Sequence, residues 1–274
     1  MLTYFGNQYL IRPHFEFPAL MPTLLGTALS FFIGFNNNQA YGRWWEARII
    51  WGGLVNESRT WARLCLTFVG EGEASRAMVR RHLAFVYALR DFLRGNTTEG
   101  AGTHLVWSDY LDADEARATA SRQNRHNALL LRQGTELQAL YAQQRIDGFQ
   151  LLELQRCLSN LTNEMGRAER IKGTVFPTTY HHYTHLFVFL LIVSVTAVLG
   201  NNIGPWAILF GWLIGYVFLS IQAIGAALLE PFDAIPTGVA LDQISRNIER
   251  NLLEMLGEEA LPPPVASING EYVL

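Results

Sequence analysis

The sequence contains very little lysine and cysteine. Lys172 is the single lysine among 274 residues, and every other basic residue is arginine. A formal net charge of -3 without basic tracts excludes the usual electrostatic mode of nucleic-acid binding. Cys65 and Cys157 lie far apart and do not form a CxxC spacing, so neither a disulfide nor a zinc site is expected.

Motifs of common enzymes are also missing. The chain has no Walker A loop, GxGxxG, HExxH or GxSxG, so we expect no catalytic residue, cofactor or metal. The run YHHYTH places His181 and His185 on one helix face, but two ligands cannot complete a metal shell. Such a cluster is also typical of the aromatic belt at a membrane interface. A membrane enzyme that uses these histidines and Glu230 is one alternative.

Three long apolar runs are present. Residues 17–35 carry no charge, and at 1.5 Å of helical rise per residue they cover roughly 28 Å, close to a bilayer core. Residues 186–200 and 206–229 are also uncharged and are separated by five residues. These runs predict a membrane protein in which the last two spans form a helical hairpin.

Basic residues are distributed unevenly around these runs. Arg12 is the one basic residue before the first run and the hairpin link has none, whereas eighteen lie between Arg43 and Lys172. Because loops rich in Arg and Lys stay on the cytoplasmic side, we expect the region 43–172 and the C-terminus to be cytoplasmic. This predicts a multi-pass protein of the cell inner membrane.

The predicted cytoplasmic region has helical periodicity. Residues 43–69 continue the pattern of the first apolar run, so its helix is expected to extend beyond the membrane. Further helices are predicted at residues 76–94, 112–121, 127–146, 149–170 and 239–256. Strand-type alternation is almost absent, which predicts an all-α protein.

One face of the first apolar helix combines aromatic and polar residues. Thr27, Phe31 and Phe35 recur every four residues, and Asn38 follows beside this stripe. Polar side chains facing lipid are costly, so water or another subunit is expected on that side. Packing against a neighbouring helix is the alternative interpretation of the stripe.

Two segments resemble bacterial bestrophins. LLGTALSFFIGFNNNQAYGRWWEARIIWGGLVNESR is similar to the family's second transmembrane helix, and EPFDAIPTGVALDQISRNIERNLLEMLGE to the segment after its last span. The resemblance implies an all-α integral membrane protein, a bestrophin-like fold in which transmembrane helices continue into a helical cytoplasmic domain, assembled as a homopentameric ring. It implies one channel domain, 1–274, composed of a pore-lining transmembrane helix 17–42, a cytoplasmic helical region 43–172, a transmembrane hairpin 180–229, and a cytoplasmic helix and tail 230–274.

The resemblance also implies site residues. The family's hydrophobic neck corresponds to Thr27, Phe31 and Phe35, its vestibule begins at Asn38, and aligning backwards from ERI places a cytosolic constriction at Leu161. Thr27 stands where the family usually has an aliphatic residue, which predicts a wetter outer constriction. The implied function is conduction of small inorganic monovalent ions, with anions such as chloride favoured over cations.

The sequence departs from the family at two places. Asp233 is followed by AIPTGVA instead of the acidic run that binds calcium in animal bestrophins, so no calcium site is expected. Only sixteen residues precede Phe17, too few for the family's first span. The alternative function is a membrane-anchored helical scaffold or sensor without conductance.

Overall fold

The computed structural model describes residues 1–11, 18–95, 106–175 and 178–267, and no strand occurs among them. The α-helices in these ranges are α1 (Leu2–Gly6), α2 (Met21–Leu64), α3 (Glu73–Leu93), α4 (Ala113–Ala120), α5 (Arg125–Ala142), α6 (Gly148–Gly173), α7 (Thr178–Ile203), α8 (Trp206–Ala226) and α9 (Leu241–Met255). The other helical elements in these ranges are two π-helical stretches, Asn7–Ile11 and Cys65–Val69, and a 3-10 turn, Trp107–Tyr110. The all-α prediction is confirmed.

The predicted helices are observed with small shifts at their ends. Helix α2 is a single helix of 44 residues, so the helix that contains the first apolar run does continue far beyond it. The other predicted helices correspond to α3, α4, α5, α6 and α9, and the hairpin to α7 and α8. Phe17, the predicted start of the first span, lies outside the described residues, as do residues 96–105 and 268–274.

Side-chain caps fix where several helices begin. Asp112 accepts from the backbone N–H groups of Asp114 and Glu115 at the start of α4. Asp147 accepts from the N–H of Gln150, whose side chain accepts from the N–H of Asp147 in return. Caps of this kind satisfy backbone donors that have no partner inside the helix.

The chain divides into two compact units. The first comprises Met1–Trp44 and Val175–Leu229, and the second Trp45–Thr174 and Glu230–Leu274. Within the described residues, two helices are long and apolar enough to cross a membrane, His182–Ile203 and Trp206–Ala226, with mean hydropathies of 2.2 and 2.0. Helix α2 is not one of them, so a third span along its first part stays a prediction.

In the first unit, α2 packs on the hairpin through aliphatic side chains. Leu29 and Ile33 form a buried cluster with Val188, Leu191 and Val195 of α7. Their spacing of three or four residues places them on one face of each helix. This packing leaves the opposite face of α2 uncovered in the single chain.

Two glycines allow α7 and α8 to approach closely. A Cβ at Gly211 would overlap the hydroxyl of Thr196, and a Cβ at Gly215 would overlap the side chain of Ile192. Small residues at such crossings are typical of helix pairs in membranes, where close van der Waals contact drives association.

The N-terminal helical residues belong to the same unit. Asn7 Nδ2 donates to the carbonyl oxygen of Ala197 at 3.3 Å, and the ring of Tyr4 lies against Gly200. Residues 2–11 therefore pack on α7.

Helix α3 forms the centre of the second unit. Five successive residues, Leu83 to Tyr87, are at most 1% exposed. The same unit contains fully buried side chains from several other helices: Trp51 and Trp61 from α2, Leu129 and Leu137 from α5, and Leu252 from α9. A helix buried all round is expected at the middle of a helical domain.

Buried charges join α3 to α9. The carboxylate of Asp242 lies 3.3 Å from Arg90 and 3.4 Å from Arg94, and all three side chains are less than 10% exposed. Nearby, Glu249 accepts from the hydroxyls of Tyr87, at 2.6 Å, and Tyr110. Burial and the adjacent Glu249 carboxylate raise the pKa of both tyrosines.

The buried His82 makes stability depend on pH. Its Nε2 lies 2.8 Å from the Ser58 hydroxyl, and burial lowers its pKa from 6.5 to about 3. Between these values the unfolded chain binds a proton that the folded chain does not. Stability is therefore complete above pH 6.5 and falls by roughly 1 kcal/mol per pH unit as the pH drops toward 3. Thermal unfolding between pH 7 and 5 tests this, and His82→Leu should flatten the dependence; an equally steep dependence in that variant would contradict it.

Candidate functional site

The stripe predicted on α2 is exposed in the single chain. Thr27, Phe31, Phe35 and Asn38 line one open groove of 530 Å³ together with Ser30 and Gly34. The side chains of Phe31 and Phe35 are 66% and 68% exposed. Two adjacent phenylalanines with this exposure are a large apolar surface that lipid, water or another chain must cover.

Helical periodicity explains why these residues share a face. Leu29, Ile33 and Ala40 are at most 3% exposed and follow the same repeat on the other side of α2. The hairpin fixes the buried face, so the stripe is directed away from it. The four predicted residues of this face are thus brought together, while their role in a pore stays a proposal.

The hydroxyl groups in the groove are already hydrogen-bonded. Thr27 Oγ1 donates to the carbonyl oxygen of Thr23 at 2.8 Å, and Ser30 Oγ donates to that of Gly26 at 2.7 Å. A hydroxyl that donates to its own helix presents one polar hydrogen fewer to the groove. The groove is therefore less polar than its composition indicates, which weakens the expectation of a wet constriction at Thr27.

The three asparagines that follow the stripe have different surroundings. Asn36 is 8% exposed, and Asn37 Nδ2 donates to the carbonyl oxygen of Ile221 on α8 at 2.9 Å. Asn38 is exposed and lines the groove. Successive helical residues are rotated by about 100°. Asn36 is therefore buried, Asn37 contacts α8 and Asn38 faces the groove.

The contact of Asn37 with α8 depends on a glycine. A Cβ at Gly225 would overlap Asn37 Oδ1. We expect Gly225→Ala to displace the amide, lose its bond to Ile221 and destabilise the protein by about 1–3 kcal/mol, the usual cost of overpacking. Thermal unfolding in detergent measures this. Gly166→Ala is the matched control because a Cβ at Gly166 meets no atom within 4 Å; an equal effect of both variants would contradict the expectation.

Leu161 is buried in the single chain. The side chain is 0% exposed and lies in the interior of the second unit. This burial does not support a cytosolic constriction at Leu161, an assignment that rests on the short match at ERI and stays a prediction.

His181 and His185 of the YHHYTH run lie only partly within the described residues. The side chain of His181 lies outside the described residues, and His185 Nδ1 lies 3.2 Å from Gln222 Nε2. No group of three or more His, Cys, Asp or Glu side chains suitable for a metal occurs in the described ranges.

Glu46 of the RWWEAR motif forms an ion pair with α6 that was not predicted from the sequence. Arg170 Nη2 of α6 donates to Glu46 Oε1 at 2.7 Å, and Arg167 Nη2 lies 4.0 Å from the same oxygen. Both partners belong to the second unit. The only hint in the sequence was that Arg167 and Arg170 lie close together near the end of α6, where a carboxylate from another helix could pair with them.

An apolar helical hairpin, a long helix α2 and an exposed aromatic groove on that helix are features expected of a helical membrane protein. The chain belongs to the bacterial/fungal bestrophin family, whose model matches residues 1–254.

Two similar proteins share one description, and a solved bestrophin structure has the same fold as this chain. A voltage-dependent anion channel-forming protein from Ralstonia nicotianae is 32% identical over 89% of this chain and 79% of its own length. Another protein of that description from Mesorhizobium japonicum is 32% identical over 86% of this chain and 74% of its own. A crystal structure of a point variant of a bacterial bestrophin homologue from Klebsiella pneumoniae is 25% identical, covers 93% of this chain and 94% of that chain, and has a TM-score of 0.84.

Proposed function

We propose that this chain forms a homopentameric anion channel in the cell inner membrane. The pore is lined by five copies of α2, with a hydrophobic neck at Thr27, Phe31 and Phe35 and a vestibule that begins at Asn38. The observation that carries the proposal is the groove on α2 in which both phenyl rings are two-thirds exposed.

A single groove cannot enclose an ion path. Heterologous contacts around a rotation axis can close identical chains into a ring. Each copy then contributes the same face, and the exposed phenyl rings are removed from lipid. The ring itself is supported by the membership of the chain in the bestrophin family and by its likeness to bestrophin structures.

The chemistry of the groove favours a gate based on hydration. Apolar rings conduct ions when wide and lose water when narrow. The edges of phenyl rings carry partial positive charge and their faces partial negative charge, so the orientation of Phe31 and Phe35 affects which ion passes. The neck holds no ionisable side chain, so the ion is not bound tightly there.

Two observations support anion transport with a defined orientation. The relatives from Ralstonia and Mesorhizobium are both named as anion channel-forming proteins. Arginine and lysine are concentrated between Arg43 and Lys172, which favours a cytoplasmic location for this region. We assign small inorganic anions such as chloride as the transported ions.

The proposal is tested with purified protein in two measurements. Native mass spectrometry should give five times the mass of the 30.9 kDa chain. Liposomes loaded with chloride should release it when the protein is incorporated, and empty liposomes should not. A monomer without anion release would overturn the proposal and favour the membrane-anchored scaffold.

A further inference from the structure

A second groove lies within the second unit, between α4 and α5. It has a volume of 420 Å³, which is within the range of sites that bind small molecules. Ala118 of α4 and Ala128 and Leu131 of α5 contribute its apolar surface. The side chain of Leu131 is 72% exposed. Charged residues border this apolar surface, the combination that small-molecule sites have.

The three carboxylates that line this groove are already held within the chain. Glu115 accepts from Nε and, at 3.1 Å, from Nη2 of the buried Arg81. Asp114 pairs with Arg117. Asp112 accepts from two backbone N–H groups, at 2.7 and 3.0 Å, at the start of α4, where the helix dipole also favours a carboxylate.

Two arginines that line the same groove have no such partner. Arg122 follows the end of α4, Arg132 lies next to Leu131 on α5, and both are exposed. Neither guanidinium forms an ion pair with another side chain in the described ranges. Together with Arg81 and Arg117, they make four guanidinium groups against three carboxylates, so one positive charge has no counter-charge.

We propose that this groove binds a small organic monocarboxylate with an apolar body. The single negative charge of such a ligand matches the uncompensated positive charge of the groove. Its carboxylate pairs with Arg122 and Arg132, because a guanidinium presents parallel N–H donors to the two oxygens of a carboxylate. Its body covers Ala118, Ala128 and Leu131 and removes their apolar surface from water.

The proposed site is separate from the proposed neck. Every residue that lines it belongs to the second unit, whereas Thr27, Phe31 and Phe35 belong to the first. A ligand in this groove contacts both α4 and α5, so it stabilises the folded second unit by mass action. Ligand binding is therefore a function additional to conduction and does not depend on it.

Isothermal titration calorimetry of the full-length protein in detergent tests the proposal. The probe is 3-phenylpropanoate, a monocarboxylate with one phenyl ring that is freely soluble in water and is not a detergent. Wild type should bind it saturably and unfold at a higher temperature in its presence. In Arg122→Gln/Arg132→Gln the affinity should fall roughly ten-fold or more, because hydrogen bonds between charged groups are lost.

Further comparisons separate charge from apolar contact. The uncharged 3-phenylpropanamide should bind wild type roughly ten-fold more weakly than the carboxylate does. Leu131→Ser should weaken binding of the probe by roughly a few-fold, because the apolar surface under the phenyl ring is reduced. Both arginines and Leu131 are exposed, so these variants should unfold at the wild-type temperature in the absence of the probe.

Arg145→Gln is the matched control. Arg145 is also exposed and without an ion pair in the described ranges, but it lies outside the groove, so this variant should keep wild-type affinity. Three results would each overturn the proposal: no saturable binding to wild type, equal affinity of wild type and the double glutamine variant, or equal binding of the amide and the carboxylate. The chloride-release measurement tests the proposed channel independently of all three.

Discussion

Replacing Phe31 and Phe35 by alanine should increase the chloride current several-fold. Both rings are exposed on the groove of α2, and each replacement removes a phenyl group from the proposed neck. A wider apolar constriction holds water more readily, so the free-energy barrier to a hydrated ion is lower. The comparison requires wild type and Phe31→Ala/Phe35→Ala in the same bilayer conditions.

The same variant should retain its stability. About two-thirds of each ring is already exposed, so truncation creates no internal cavity in the chain. Phe210→Ala is the matched control because Phe210 is 45% exposed on α8, the hairpin helix away from the groove. Unchanged current in the groove variant, or an equal increase in the α8 variant, would contradict the role of the groove as the neck.

Replacing Asp242 by asparagine should cause the largest loss of stability. The carboxylate is 6% exposed and is the shared partner of Arg90 and Arg94. Burial lowers the pKa of Arg94 while Asp242 acts in the opposite direction, so the carboxylate keeps this guanidinium charged. Removing one partner of a buried ion pair typically costs about 3–5 kcal/mol.

Thermal unfolding in detergent measures the effect of Asp242→Asn. Asparagine has nearly the same shape, so the loss reports the charge and not a cavity. Asp114→Asn is the control, since Asp114 and Arg117 form an exposed pair that contributes little. If the two variants unfold at the same temperature, α9 is not held to α3 by this charge network.

The helices were predictable because their sequence periodicity agrees with their burial. The repeat of apolar residues that follows Asn38 predicted that α2 continues, and α2 does run to Leu64. The stripe of Thr27, Phe31 and Phe35 was predictable for the same reason, since residues four apart share a face of any α-helix. The spacing of residues in the sequence was enough to predict a feature that lies within one helix.

Features that depend on partners distant in sequence were not predictable. On α3, Arg81 is 5% exposed and pairs with Glu115, which lies 34 residues later. Arg90 is buried against Asp242 of α9. Periodicity shows that a residue is charged, but it cannot show that a distant carboxylate will allow the charge to be buried.

Leu161 shows the limit of a resemblance carried by a short match. The three residues ERI fixed the register along α6, and a shift of one residue turns a side chain by about 100°. The helix was predicted correctly, whereas the full burial of the Leu161 side chain in the single chain was not predicted.

The most direct test of the channel is the reversal potential of purified protein in a planar bilayer with a KCl gradient. We expect current whose reversal potential lies near the Nernst potential of chloride, since the proposed channel carries small anions through a neck that holds no ionisable side chain. A reversal potential near that of potassium would contradict anion selection. The absence of any current from a protein of pentameric mass would contradict the channel itself.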